Sequence, residues 1–273
     1  YAMKLDNSLV GRSILITGGS RGLGREMCLC LAKVGVKICF TASKESQNFF
    51  QTWEDLRNIA GSDNVIAKIA NVTDSDAMEK IAQSCIKKFN KIDVLVNNAG
   101  RGMRLISENF NTEPTKFWEA HPKSWSKIID TNVNGPFLAS RAVIPHMIEE
   151  KFGKIINIST SSQTMIRAGY SPYGPSKTFL EATSRAWSKD LEGLGIDVNV
   201  LLPGGATDTE LLPPSKNKKG ADGNLLPSSV MNKAIIWLAS DKSNGISGGR
   251  FIGRYWDDQN KRHDHIRQNP QIM

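Results

Sequence analysis

Short hydrophobic segments of strand length alternate with longer segments of helical periodicity along most of the chain. The first two strand-like segments, at 13–17 and 37–41, precede helical patterns at 24–34 and 49–60. The strand-like segments are almost continuously hydrophobic, which is typical of parallel strands that are covered on both faces. The alternation therefore predicts a parallel sheet with helices on both sides.

The same alternation continues toward the end of the chain. Further strand-like segments lie at 65–69, 93–96, 154–158, 197–201 and 250–252, with helical patterns at 75–89, 177–191 and 228–239. No internal repeat or long linker interrupts this order. We therefore predict an α/β fold with a single Rossmann-type domain, a doubly wound parallel sheet, over 11–256. A tail at 1–10 would precede this domain and a polar tail at 257–273 would follow it.

Composition narrows the functional classes. The 273 residues are 40% hydrophobic and 23% charged, which is ordinary for a globular protein. No apolar run approaches the roughly 18 residues that a membrane span needs, and we predict neither a membrane span nor a signal peptide. The formal charge of +8 comes from scattered basic residues, and this scatter does not favour nucleic acid as a partner.

The cysteines and histidines give no sign of a disulfide framework or a metal site. Cys28, Cys30, Cys39 and Cys85 form no C-x-x-C pair and lie mostly in apolar segments, which predicts reduced, packed thiols and a cytoplasmic location. The H-x-H pattern at 263–265 lies in the polar tail without a cysteine partner, so we predict that no metal is bound.

A glycine-rich turn follows the first predicted strand. The sequence T-G-G-S-R-G-L-G begins at Thr17, and a helical pattern follows it. In open α/β sheets, backbone N–H groups and a helix N-terminus at the carboxyl end of a strand favour a pyrophosphate. The spacing G-x-x-x-G-x-G differs from the G-x-G-x-x-G fingerprint, but its position between strand and helix predicts phosphate binding. The predicted cofactor contacts in this loop are Gly18, Ser20, Arg21, Gly22, Leu23 and Gly24.

The end of the second predicted strand indicates which dinucleotide binds. NAD-binding proteins usually place an acidic residue there for the ribose 2′-hydroxyl, whereas NADP-binding proteins place cations for the 2′-phosphate. Here Glu45 is the first carboxylate and lies beyond the strand end. Arg21 and Lys44 can pair with a 2′-phosphate, and the hydroxyl of Thr41 or Ser43 can donate to it. The sequence thus favours NADP(H) as the cofactor.

A tyrosine and a lysine four residues apart are the candidate reacting groups. Tyr173 and Lys177 would lie one helical turn apart on the same face. A free phenol has a pKa of about 10, and a nearby cation can lower it toward the range of acid–base catalysis. The pattern Y-x-x-x-K is common by chance in helices. Here, however, hydroxyls at 159–162 and amides at 97–98 and 132–134 accompany it.

Together these motifs resemble the short-chain dehydrogenase/reductase family. The loop T-G-x-x-x-G-x-G, N-N-A-G at 97–100, N-x-x-G at 132–135 and Y-x-x-x-K at 173–177 occur in the order of the family. The glycine loop and the strand end at 41–43 particularly resemble the 3-oxoacyl-(acyl-carrier-protein) reductases, which use NADPH. The resemblance implies an oxidoreductase that transfers hydride between NADP(H) and a carbonyl or secondary alcohol.

The resemblance also implies roles for individual residues. Tyr173 would be the general acid of reduction and the base of oxidation, while Lys177 would bind the nicotinamide ribose and lower the pKa of Tyr173. Asn132 would hold a water that relays protons to Lys177. Further cofactor contacts are expected from Asn71 (where the family usually has aspartate), Val72, Asn98, Ala99, Gly100, Pro203 and Gly204.

Two positions depart from the pattern of the family. The family serine lies 13 residues before the tyrosine, and this position is Thr160, whereas Ser161 has the expected residue type. Either residue can supply the hydroxyl. The family threonine near the cofactor amide corresponds to Thr207 or Thr209, because the spacing after the Pro-Gly pair at 203–204 fits neither.

The substrate and the alternative functions depend on the remaining loops. The pocket is expected from the loops at 163–172 and 205–227, whose apolar residues beside Arg167 suggest an apolar pocket with a cationic rim. Those apolar residues are Met165, Ile166, Tyr170, Leu211 and Leu212. The alternative outside the enzymes is a non-catalytic sensor that binds NADP(H). The set of Tyr173, Lys177 and Asn132 argues against it, because a sensor needs no proton relay. Epimerases and dehydratases share the fold and are the alternatives among enzymes.

Two long helical patterns, at 123–150 and 171–193, are more hydrophobic than one sheet face requires. The first includes Trp125 and Phe137, and the second includes Phe179 and Trp187. A helix that is apolar on more than one face needs a second partner. We therefore expect a homodimer or homotetramer with two-fold symmetry.

Overall fold

Seven strands form one parallel sheet in the computed structural model, which describes residues 7–214 and 223–256. The strand order is β3-β2-β1-β4-β5-β6-β7, and every neighbouring pair is parallel. The strands are β1 (Ser13–Ile16), β2 (Lys37–Ala42), β3 (Val65–Ile69), β4 (Val94–Asn97), β5 (Gly153–Ile158), β6 (Ile196–Leu202) and β7 (Arg250–Ile252). The predicted doubly wound parallel sheet is confirmed.

Eight α-helices accompany these strands in the described residues. They are α1 (Gly22–Lys33), α2 (Gln47–Ala60), α3 (Ser75–Phe89), α4 (Pro122–Ile129), α5 (Gly135–Glu149), α6 (Ser162–Met165), α7 (Tyr173–Asp190) and α8 (Asn232–Ala239). Several boundaries follow from local chemistry. Ser46 caps α2 by accepting from the N–H of Phe49, and Asp74 caps α3 by accepting from that of Ala77. Asn90 ends α3 in the left-handed conformation, with φ of 67°.

The continuous hydrophobicity of the strands follows from two cores, one on each face of the sheet. In β1, Ile14 and Ile16 face the core that α1, α2 and α8 cover, whereas Leu15 faces the core beneath α3, α5 and α7. Successive side chains of a strand point to opposite faces, so both kinds of position must be apolar. Leu9, which the sequence analysis placed in a tail, is fully buried in the first core.

The order in which strands are added to the sheet reverses between β1 and β4, and the position of this reversal determines where a ligand can bind. The chain adds β2 and β3 on one side of β1, then crosses to the other side to form β4. Loops that leave the carboxyl ends of β1 and β4 therefore diverge and leave a crevice between them, where open α/β sheets bind ligands.

Some predicted elements differ from the observed ones. The pattern at 123–150 is not one regular helix: α4 and α5 are joined by a π-helical turn at Asp130–Asn134. The last predicted helix begins at Asn232 rather than at 228, because the preceding residues form turns. The predicted tail at 257–273, with its histidine pair, lies outside the described residues, as do residues 1–6.

Candidate active site

A cleft of about 940 Å³ opens at the carboxyl ends of the strands. Its walls contain the glycine loop, the ends of β2, β4, β5 and β6, and the first turns of α7. Nearly all residues that the sequence predicts for catalysis or cofactor binding line this cleft. The exceptions are Asn132 and Lys44: the first is completely buried beside the cleft, and the second is exposed but is not part of the cleft wall.

The glycine loop has the geometry that a pyrophosphate site requires. Gly18 has a φ of +66°, and a Cβ there would lie 2.9 Å from the Cα of Ala99. A Cβ at Gly24 would collide with the carbonyl of Gly18. No side chain of the described residues caps the start of α1. No side-chain cap therefore occupies the backbone N–H groups of its first turn. These features fit a phosphate group that approaches the backbone closely at a helix N-terminus.

The N-N-A-G turn after β4 is tied to the glycine loop by Asn98. Its Nδ2 donates to the carbonyl of Thr17 at 3.0 Å and to that of Gly18 at 2.9 Å. In return, Thr17 Oγ1 accepts from the backbone N–H groups of Asn98 and Ala99, both at 3.1 Å. The side chain of Asn98 therefore shapes the cofactor cleft by holding its two walls together.

The residues predicted to contact a 2′-phosphate differ in their exposure near the end of β2. Thr41 is buried: its Oγ1 accepts from the N–H of Gly18 at 3.4 Å, and its carbonyl accepts from that of Gly19 at 2.9 Å. Thr41 thus supports the loop from behind. Arg21 and Ser43 line the open part of the cleft, where they are exposed.

A carboxylate that the sequence did not indicate lies beside Arg21. Glu210, in the loop after β6, forms an ion pair with the Arg21 guanidinium and accepts from Asn48 Nδ2 at 3.0 Å. Its backbone carbonyl accepts from Arg104 Nη1 at 2.8 Å. The loop after β6 therefore closes over the mouth of the cleft, and it contacts the glycine loop, α2 and the loop after β4.

The remaining residues that were predicted to bind the cofactor also line the cleft. Asn71 and Val72 line the cleft after β3, and Asn71 Oδ1 accepts from the N–H of Thr73 at 3.3 Å. Thr207 Oγ1 donates to the carbonyl of Gly205 at 3.3 Å, whereas the Thr209 side chain lies over Gly22. Both threonines line the cleft, so the sequence ambiguity between them stays open.

Tyr173 and Thr160 meet at the inner end of the cleft. Tyr173 begins α7, Thr160 follows β5, and their side chains are hydrogen-bonded. Burial raises the pKa of the Tyr173 phenol, and the hydrogen bond with Thr160 opposes this rise only partly. Desolvation is the largest influence on this pKa, so the phenol stays protonated at neutral pH. The lowering of the Tyr173 pKa by Lys177, which the family resemblance implies, stays a prediction.

Lys177 directs its ammonium group to the end of β5. Its Nζ donates to the carbonyl of Ile158 at 2.8 Å, and the side chain is almost completely buried. Burial lowers the pKa of Lys177 to about 8, although the charge of Glu181 acts in the opposite direction. Lys177 is therefore an ammonium that can release its proton close to physiological pH.

Ser159, Thr160 and Ser161 differ in what their hydroxyls contact. Ser161 caps α6: its Oγ accepts from the N–H of Thr164 at 3.3 Å and lies 2.9 Å from Thr164 Oγ1. Ser159 is buried and donates to Glu181 at 2.6 Å. Thr160 is the member of this group whose hydroxyl reaches Tyr173. The geometry thus favours Thr160, which has the spacing of the family serine, over Ser161, which has its residue type.

Asn132 occupies the π-helical turn between α4 and α5, and π-helical turns are frequent at functional sites. Its Oδ1 accepts from the N–H of Arg101 at 2.8 Å, and its Nδ2 donates to the Arg101 carbonyl and to Ser176 Oγ, both at 3.0 Å. Ser176 in turn donates to the carbonyl of Tyr173. The Asn132 side chain therefore connects the loop after β4 to the first turn of α7.

The substrate side of the cleft is partly as predicted. Tyr170, Leu211, Leu212 and Arg167 line it. Two predicted pocket residues do not: Met165 is packed in the interior, and Ile166 is 86% exposed. The loop after β4 adds Met103 and Phe110, which were not predicted because the part of this loop beyond N-N-A-G has no motif. Phe110 packs edge-on against Tyr170, with ring centroids 5.5 Å apart.

Two kinds of feature are absent from the described residues. No helix in 7–214 or 223–256 is both long and apolar enough to cross a membrane. No group of three or more histidine, cysteine, aspartate or glutamate side chains in these ranges could hold a metal ion.

A dinucleotide cleft with a tyrosine, a lysine and a hydroxyl at its inner end defines a class of nicotinamide-dependent oxidoreductases. The family model described as short chain dehydrogenase matches residues 12–220. The chain belongs to the short-chain dehydrogenase family. The family resemblance predicted from the four motifs is thereby confirmed.

Individual relatives agree with this assignment. The 3-oxoacyl-(acyl-carrier-protein) reductase of Escherichia coli is 30% identical over 245 residues, 87% of this chain and 93% of that protein. The NADPH-dependent pterin aldehyde reductase of Arabidopsis thaliana is 35% identical over 209 residues, 76% of this chain and 79% of that protein. A crystal structure of the 3-ketoacyl-(acyl-carrier-protein) reductase from Brucella melitensis, complexed with NADH, superposes with a TM-score of 0.77. It is 26% identical, with 90% of this chain and 97% of that chain covered.

The relatives named here are all reductases, which supports the oxidoreductase prediction over a sensor, an epimerase or a dehydratase. The protein is a nicotinamide-dependent oxidoreductase of the short-chain dehydrogenase/reductase family.

Proposed function

We propose that the protein reduces a carbonyl substrate to a secondary alcohol with NADPH, and catalyses the reverse reaction with NADP⁺. The observation that carries this proposal is the position of Tyr173 and Thr160, which line the inner end of the dinucleotide cleft together and interact through their side chains. This pair offers a protonated phenol and a second hydroxyl to one substrate oxygen, as reduction requires.

The residues present fit the cofactor. The glycine loop and the uncapped first turn of α1 would hold the pyrophosphate, and the walls joined by Asn98 would hold the rest of the dinucleotide. Arg21 and Ser43 would face the 2′-phosphate, while Lys44 would contribute to the field near the cleft mouth. When bound, NADPH supplies the hydride for the carbonyl carbon.

The chain's own residues would supply the proton. Tyr173 would donate its phenolic proton to the carbonyl oxygen, and its raised pKa keeps that proton available at neutral pH. The Thr160 hydroxyl would hold the same oxygen and share the developing charge. The Lys177 ammonium, with a pKa near 8, would replace the proton lost by Tyr173. Asn132 is assigned here to positioning, and its relay water stays a prediction from the family resemblance.

Loss of NADPH absorbance with a panel of carbonyl compounds tests this function. The panel includes a 3-oxoacyl thioester and a pterin aldehyde, which the names of the relatives suggest, and also a ketosteroid and a quinone. We expect at least one carbonyl to be reduced, with Tyr173→Phe as the inactive control. NADPH binding without turnover of any carbonyl would contradict a reductase and favour the sensor.

We also propose a cytoplasmic homo-oligomer. The four cysteines are free thiols, three of them buried, which suits a reducing compartment. Phe137 on α5 and Phe179 on α7 are 50% and 54% exposed, although both helices pack on the same face of the sheet. Large apolar side chains exposed on neighbouring helices are typical of a subunit contact.

A further inference from the structure

A buried ion pair lies behind the active site and has no part in the mechanism above. Arg250 Nε, on β7, donates to Glu181 Oε2, on α7, at 2.8 Å. The side chains are 14% and 1% exposed, respectively. Burying two charges is costly even when they are paired, so a buried pair is weak evidence for a role in stability alone. Its contacts with the active site suggest another role.

Both partners also bind the residues that follow β5. Glu181 Oε1 accepts from Ser159 Oγ at 2.6 Å, and Arg250 Nη2 donates to the Thr160 carbonyl at 3.0 Å. These bonds hold the backbone from which the Thr160 hydroxyl reaches Tyr173. Charge-assisted hydrogen bonds are among the strongest that side chains form, so they fix the position of the backbone from which this hydroxyl extends.

The same carboxylate acts on Lys177. Glu181 follows Lys177 by one turn of α7, and its charge favours the protonated ammonium against the effect of burial. The charged groups that face Glu181 are Lys177 on its own helix and Arg250 on β7. From the end of β5 it is faced by the neutral hydroxyl of Ser159. Burial raises the pKa of Glu181, and Arg250 is the main influence that opposes this rise.

We propose that Glu181 and Arg250 are positioning residues of this active site: the pair aligns the Thr160 hydroxyl with Tyr173 and keeps Lys177 protonated. The proposal rests on the proposed reductase function for its catalytic consequence. Its electrostatic part concerns Lys177 alone and can be measured without turnover.

The electrostatic part is tested by a nuclear magnetic resonance titration of the full chain labelled with ¹³C-lysine. The Lys177 signal is assigned by its loss in Lys177→Arg. In Glu181→Gln, which removes the charge but can still accept from Ser159, we expect the Lys177 midpoint to fall by about one pH unit. Arg250→Gln should move it in the same direction, because the unpaired Glu181 then takes up a proton. Ser159→Ala keeps both charges and the ion pair, so it should move the midpoint less than either of these variants.

The positioning part is tested by kinetics with a matched control. Arg185 also donates to a backbone carbonyl, that of Gly248 at 3.3 Å, but it is exposed and does not contact the end of β5. We expect Arg250→Gln to lower kcat about tenfold or more, as loss of alignment in an active site does, with little change in NADPH affinity. The alkaline limb of its pH profile should shift to lower pH. Arg185→Gln should match the wild type.

The outcomes separate the two proposals. Wild-type protein that reduces no carbonyl would contradict the reductase function, and the Lys177 titration would still decide the electrostatic part. Active wild type, with an unmoved Lys177 midpoint in Glu181→Gln and an unshifted pH profile, would overturn the positioning proposal. If Arg250→Gln does not fold, Glu181→Gln alone decides, because it removes one charge and preserves the hydrogen bond from Ser159.

Discussion

Arg21 forms an ion pair with Glu210 across the mouth of the cofactor cleft. The two residues are 189 positions apart, and each is more than half exposed. Arg21 is the cation that the glycine loop offers to a 2′-phosphate, so the carboxylate of Glu210 and the phosphate would compete for it. The loop after β6 and the choice of cofactor are therefore connected through this contact.

Replacing Arg21 by glutamine should weaken the binding of NADPH more than that of NADH. A hydrogen bond to a charged group contributes about 1.5–3 kcal/mol, which corresponds to a loss of roughly 10- to 150-fold for NADPH alone. Direct titration of both cofactors, followed by nicotinamide fluorescence, measures the ratio. Lys44→Gln is the matched control, and we expect a smaller effect because Lys44 is not part of the cleft wall. Equal losses for both cofactors would show that Arg21 does not bind the phosphate.

Replacing Glu210 by glutamine should have the opposite effect. The variant releases Arg21 from its competitor, and an exposed ion pair contributes at most about 1 kcal/mol, so NADPH should bind up to about fivefold more tightly. NADH has no phosphate for Arg21 and should be unaffected. The gain should also shrink at high salt, since exposed charges are screened. An identical change in both affinities would mean that Glu210 acts through the loop and not through Arg21.

Tyr173→Phe should abolish turnover and leave cofactor binding intact. A missing general acid typically costs about 10²–10⁴ in rate, whereas the phenyl ring still fills the same space. Steady-state kinetics and NADPH titration of the same preparation separate the two effects, with a change of no more than a few-fold expected in affinity. Activity above about a tenth of the wild type would refute the assignment of Tyr173 as the acid.

Thr160→Ala and Ser161→Ala should differ sharply in kcat. Thr160 contacts Tyr173, and loss of one oxyanion-stabilising donor costs about 10²–10³. Ser161 caps the short helix α6, so its loss should cost about 1 kcal/mol of stability and little activity. Thr160→Ser keeps the hydroxyl and is the rescue control. The reverse ranking of the two alanine variants would transfer the role to Ser161.

The hydrophobic pattern and the motifs of the chain predict where the cofactor cleft lies, but they do not predict which individual side chains meet in it. Strand ends and the glycine loop follow from hydrophobic periodicity and from the steric needs of Gly18 and Gly24, which are local. The choice between Thr160 and Ser161 depends on the direction of two adjacent side chains, which spacing does not encode. Glu181 occupies an ordinary helical position in the sequence, and only the packing of β7 against β6 brings Arg250 to it.

The exposed aromatic residues of α5 and α7 predict the assembly. Phe137 and Phe179 lie on two helices that cover one face of the sheet, and each leaves about half of its surface exposed. Multi-angle light scattering of the wild type should therefore give twice or four times the monomer mass of 30.1 kDa.

Phe137→Asp and Phe179→Asp should each shift this mass toward the monomer, because an interface core does not accommodate an unpaired charge. The control is Phe50→Asp: Phe50 is 48% exposed but lies on α2, on the opposite face of the sheet, and its replacement should leave the assembly intact. Because Tyr173 begins α7, a weakened contact should also reduce kcat as the protein is diluted. A wild type that has the monomer mass at micromolar concentration would contradict the oligomer. A monomeric Phe50→Asp beside unaffected α5 and α7 variants would place the contact on the other face.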